Sequence, residues 1–158
     1  MNSTNQTSPN MGVYELFESK IRDGFKSLIV QAESITASIK YSNLPKFDKP
    51  VEELELEVIF PGAVCLINFG QSEVEPDLFF SRVKFERLGQ PTLFLKHYLS
   101  NRKDQRQVFM RFSDTELSLE QGISRIVDVL VAIFNDELRP LLEGLAWFTA
   151  PFDWGDYK

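Results

Sequence analysis

Cysteine and histidine are nearly missing from this chain. Cys65 is the single cysteine of 158 residues and His97 the single histidine. One cysteine forms no internal disulfide, which fits a reducing cytosol. One His and one Cys do not assemble a zinc centre, which takes four N or S ligands or three plus water. Nothing pairs His97 with a particular serine, as a catalytic triad would require. It falls at the end of an expected strand and reads as structural or solvated. Cys65 lies in the apolar stretch Ala63-Val64-Cys65-Leu66-Ile67. A reactive thiol wants an electropositive, partly open setting, so Cys65 reads as a small buried hydrophobe. The eight glycines, at 12, 24, 62, 70, 89, 122, 144 and 155, are too far apart for a phosphate-cradling loop. No spacing of acids resembles a calcium-binding EF-hand. No cofactor, metal or catalytic residue is expected, although a working pair of carboxylates is set by the fold and stays open.

Long apolar runs are missing as well. The uncharged stretch from Val58 to Ser72 is short for a bilayer and is broken by Pro61-Gly62. The first ten residues, MNSTNQTSPN, are polar and carry no apolar signal segment. These observations predict a cytoplasmic protein without membrane contact. A net charge of −6 argues against general nucleic-acid binding. That charge is uneven. Residues 48–77 hold eight acids and one base, residues 82–111 eight bases and two acids, and the chain from Asp114 nine acids and three bases. The basic middle is interleaved with Phe80, Phe94 and Phe109, as in a stacking platform for single strands. Cross-strand pairing of Arg82 and Lys84 with the acidic strands explains it equally, and no nucleic-acid partner is expected.

What the chain does have is phenylalanine. Eight of its fourteen Phe lie between residues 51 and 112, where the pattern alternates. Residues 1–10 read as a disordered leader, and residues 11–158 as a single α+β domain, the size at which one core suffices. Val13, Leu16, Phe17, Ile21, Phe25, Leu28, Ile29, Ala32, Ile35 and Ile39 recur at threes and fours. That stripe predicts one long amphipathic N-terminal helix ending before Pro45, with Gly24 a weak point inside it. The period then changes to two. Leu54, Leu56, Val58 and Phe60 alternate with Glu53, Glu55 and Glu57, a half-buried strand with an acidic face. Pro61-Gly62 turns it into a second strand, 63–69, followed by 78–88, 92–99 and 107–112. Short connections favour a five-stranded antiparallel meander. Ser118 and Gln121 form a capping box for a long C-terminal helix, with a kink at Pro140 or a break that Pro140 opens.

Alternation also places Phe79, Val83 and Phe85 on one face of the third strand and Phe80, Arg82 and Lys84 on the other. Strands three to five therefore read as apolar on both faces. Such a sheet asks for cover on both, from one helix on each face, from curling around one helix, or from a partner.

Two features mark candidate contact residues. Both tryptophans, Trp147 and Trp154, lie in the last twelve residues with Phe148, Phe152 and Tyr157. This segment reads first as a strap closing the fold and second as a partner anchor. Glu53, Glu55 and Glu57 read first as a solvated strand face and second as a phosphate-like row for a basic partner. Together these readings predict a small, acidic, non-catalytic protein-binding domain, of the kind an immunity protein, an inhibitor or a chaperone represents. Its partner is another protein or a second copy, as a homodimer. The alternative is a Phe-lined pocket for a small hydrophobic ligand between curved sheet and helix.

Overall fold

A computed structural model describes residues 11–42, 51–71, 78–96, 107–111, 119–148 and 152–153. It shows an α+β arrangement, an antiparallel sheet with helices towards both ends of the chain. Helix α1 spans Met11–Gly24 and runs into a short 3-10 turn, Phe25–Ser27. The strands are β1 (Ser34–Ser42), β2 (Val51–Phe60), β3 (Ala63–Gln71), β4 (Leu78–Glu86), β5 (Leu93–Lys96) and β6 (Gln107–Arg111). Helices α2 (Leu119–Asp136) and α3 (Arg139–Glu143) follow, and β7 is Phe152–Asp153. The leader, residues 1–10, lies outside the described residues, as do His97 and Ser118.

The long N-terminal helix is corrected. Its first half is α1, and its second half is the edge strand β1, paired antiparallel with β2 from Ser34↔Ile59 to Ser42↔Val51. Ile35 and Ile39 stand four apart, a spacing that a helix and an alternating strand share. The residues between decide it: SITASIKYS is rich in Ser and β-branched side chains, which favour strand over helix. Gly24 is the last residue of α1, and it is also where α1 approaches α2. A Cβ on Gly24 would come within 2.3 Å of Val127 Cγ1.

Neighbouring strands follow the order β1-β2-β3-β4-β5-β7, and β6 pairs with β4 off this path. The strands expected from sequence, β2 to β6, all pair antiparallel. β4 serves two partners along one edge. Its first half, Leu78–Arg82, faces β6, and Lys84 and Phe85 face β5.

The register sorts each strand into two faces. Leu54, Leu56, Val58 and Phe60 share one face with Cys65, Ile67, Phe69, Phe79, Val83, Phe85, Leu93 and Leu95, and all are buried. Both α1 and α2 pack on this face. Phe17 of α1 stacks on Phe69 at 4.3 Å, and Phe134 of α2 meets Phe25, Phe60 and Phe85 at 5.4, 6.0 and 5.3 Å. Each such side chain contributes about 1.5–3 kcal/mol by leaving water. Of the ways to cover both faces, one helix on each is thereby corrected: the two helices lie on one face. Amphipathic periodicity says that a helix has a buried side, not which sheet face receives it.

The chain breaks after α2, and Pro140 sits in the first turn of α3, where its missing N–H costs nothing. Gly144 ends α3 with φ +88°. Gly144 N–H bonds to Leu141 O and Leu145 N–H to Pro140 O, at 3.1 and 2.8 Å, a Schellman-type cap that needs a left-handed residue.

Candidate functional site

The sheet face turned away from the helices carries the polar chemistry. Its rows follow from the register. Lys40, Glu53, Gly70 and Phe80 align across β1 to β4, and beside them Ser38, Glu55, Asn68 and Arg82. Thr36, Glu57, Leu66 and Lys84 form the next row, with Phe94 of β5 beyond.

An Arg–Glu pair lies at the centre of this surface. Glu53 is 8% exposed although it lies on the open face. Arg82 Nη2 lies 2.6 Å from Glu53 Oε1, reaching from β4 across β3 to β2. Gly70 makes this reach possible. A Cβ there would come within 2.8 Å of the Phe80 ring and 3.3 Å of Glu53 Cγ. Phe80 and Glu53 thus close over the bare glycine from either side. The Arg82 guanidinium lies 5.7 Å from the Phe80 ring centroid, a cation–π contact. Glu55 accepts from Asn68 Nδ2 at 3.5 Å and faces Lys40 Nζ at 3.8 Å. Lys84 Nζ lies 3.6 Å from Glu86. A concave site of about 390 Å³ opens among Glu53, Glu55, Asn68, Arg82, Lys40, Tyr41, Lys84 and Phe94.

Of the three acids that β2 turns to the open face, two are therefore neutralised within the chain. Glu53 belongs to Arg82, and Glu55 is shared by Lys40 and Asn68. Glu57 is exposed, and among the described residues no ion pair reaches it. A row of three free carboxylates, as a phosphate mimic requires, is not what this face presents.

The aromatic tail divides. Trp147 is half-buried and docks on its own chain. Its Nε1 donates to Pro91 O at 2.9 Å, and the Arg87 guanidinium lies 4.7 Å from its ring centroid. Arg87 also donates to Gly62 O and Leu141 O, so one side chain ties the β2–β3 turn, α3 and Trp147 together. Phe148 packs against the core. Phe152 lies in β7, beside Leu95 in a short parallel pairing with β5. Trp154 and Tyr157 lie outside the described residues.

No family model, curated protein or solved structure matches this chain.

Other candidates for chemistry are placed as follows. Cys65 is fully buried, and desolvation holds its thiol well above the usual value. It is therefore a protonated thiol, not a nucleophile. Among the described residues no group of three or more His, Cys, Asp or Glu is placed to hold a metal ion. No described helix is long and apolar enough to cross a membrane.

Arg82 was legible as a partner for the acidic strands, whereas Lys84 lies on the same face but pairs with Glu86 of its own strand. Asn68, Tyr41 and Lys40 were not legible, because β1 was read as helix and Asn68 stood inside an apolar strand. The signal that finds Asn68 is its parity: it shares a face with Leu66 and Val64 and opposes Ile67 and Phe69.

Proposed function

We propose that this chain is a small non-catalytic protein-binding domain whose contact surface is the open face of the sheet. The observation that carries this reading is the placement of both helices on one face. That arrangement leaves a rigid platform of half-buried Val64, Leu66 and Phe94 among charged side chains. Apolar patches rimmed by charges suit a protein partner. Internal pairing of Glu53 and Glu55 makes the platform nearly neutral, so recognition rests on shape and on the exposed Glu57, Arg82 and Lys40. An immunity, inhibitor or chaperone-like role in the cytoplasm fits the size, the acidity and the single reduced thiol. The rings packed within the sheet and between sheet and helices favour this reading over a Phe-lined ligand pocket.

The test compares two surfaces of one molecule. Leu66→Asp with Glu57→Lys alters the open face, and Ser124→Glu with Asp128→Lys alters the exposed side of α2. Tagged chains are recovered from a native extract, and the co-purifying partner is titrated against each variant by calorimetry. The open-face variant loses binding and the helix variant retains it. Equal affinity for both, or a wild-type chain that co-purifies with nothing, counts against this reading.

A further inference from the structure

β1 is the outermost strand of the sheet, and among the described residues no strand pairs with its outer edge. Arg22, an exposed side chain, donates to the Ile35 carbonyl at 2.8 Å. A guanidinium outside the ladder reaches that oxygen only if it points away from β2. Backbone direction alternates along an antiparallel strand, so the N–H and C=O groups of Ala37 and Ile39 also face the free edge. The register with β2 runs through all nine residues of β1 without a break, and the one off-register bond, from Glu33 N–H to Ile59 O, lies just before the strand. It contains no proline, and Lys40 is its one charge. These are the devices by which sheets keep an edge from pairing, and β1 uses almost none of them. The opposite side of the sheet is treated differently, because β7 lies along β5 and covers part of that edge with the chain's own tail.

We infer that β1 pairs antiparallel with β1 of a second copy of this chain, about a two-fold axis at Ala37. A two-fold contact must be complementary to itself, and this strand is. Ala37 faces Ala37. Ile35 faces Ile39 of the second copy, and Ile39 faces Ile35, on the helix side. Thr36 faces Ser38 on the open side. Lys40 falls opposite Ser34, which keeps the two lysines apart. Ile35, Ala37 and Ile39 are half-buried in one chain and gain cover from their counterparts. The Ile35 carbonyl has a second lone pair, so it accepts an amide from the second copy beside Arg22. The two sheets become one, and their open faces form a single continuous surface. This pairing stands independently of what that surface binds.

Sedimentation of the full chain, from low to high micromolar concentration, tests the pairing. A monomer–dimer equilibrium is expected. Ala37→Pro removes an amide that faces the edge and leaves the β1–β2 ladder untouched, so it gives a folded monomer, with circular dichroism reporting the fold. Thr36→Lys with Ser38→Lys sets lysines opposite one another across the two-fold at exposed positions. It also gives a monomer, and added salt partly restores the dimer. Amide exchange at Ile39 is slow in the wild-type dimer and fast in both variants, and at Ala37 it is slow in the wild-type dimer and fast in the lysine variant. A wild-type chain that stays monomeric throughout overturns the inference. So does a dimer that survives both sets of substitutions.

Discussion

The two faces of the sheet are built from the same strands by opposite rules. On β2, Leu54, Leu56, Val58 and Phe60 go to the helices, while Glu53, Glu55 and Glu57 go to the open side. The helix face gains its stability from volume and contact, and its rings stack on rings. On the open face a charge that is buried must find a partner, and Glu53, the most buried of them, has the shortest ion pair. A sheet can thus hold a dry face and a polar face one side chain apart, provided that the buried charges of the polar face are paired.

Four changes break or sharpen this contrast. The largest effect belongs to the helix face. Phe134→Ala removes a ring that touches three others, and it should cost about 3–5 kcal/mol in urea unfolding. Next comes the end where turn, helix and tail meet. Arg87→Ala removes the side-chain donor to Gly62 O and one of the two donors to Leu141 O, and should cost about 1–3 kcal/mol. In a Trp154→Phe background the remaining Trp147 emission should shift to the red, because the ring loses its cation and its seat.

The third change is one of pH. Burial raises the Cys65 thiol above its ordinary value, whereas the unfolded thiol ionises near pH ~8.5. Above that pH the unfolded state releases a proton that the folded state keeps. Stability therefore falls as pH rises, by up to about 1.4 kcal/mol per unit, and is unaffected below. Cys65→Ala removes this part of the slope, which unfolding midpoints across the alkaline range measure by difference. The smallest effect is on the open face. Arg82 is 44% exposed, so Arg82→Ala should cost only about 1 kcal/mol. Arg82→Ala with Glu53→Gln should recover part of it in a double-mutant cycle. A cost as large as that of Phe134→Ala would erase the distinction between the faces.

Much of the helix face was legible in the residues. Alternation placed Leu54, Leu56, Val58 and Phe60 on one face of β2 and Phe79, Val83 and Phe85 on one face of β4, and the capping box at Ser118 and Gln121 announced α2. Strand β1 was not legible, because Ile35 and Ile39 satisfy both periods and the long stripe before them favoured a helix. The site on the open face was half legible. Parity put Arg82 and Lys84 with the acids, but Arg82 reaches Glu53 by crossing a strand, and only the register shows that Gly70 lies between them. The docking of Trp147 depended on Arg87, sixty residues earlier in the chain, which no local pattern carries.

The contact between Gly62 and Gly144 has a consequence for the birth of the molecule. A Cβ on Gly62 would come within 2.1 Å of the Gly144 backbone nitrogen, and Gly62 N–H bonds to Leu142 O at 2.8 Å. The tight turn between β2 and β3 is thus anchored by α3 and its cap, made long after it. Strands β2, β3 and β4 can zip by local closure as they are made, at about 5–20 residues per second. Their greasy face then waits for α2 and α3 to leave the ribosome. During that interval α1 is the one helix already made that can cover the nascent sheet, and the part of the face that α2 and α3 will cover is open to aggregation.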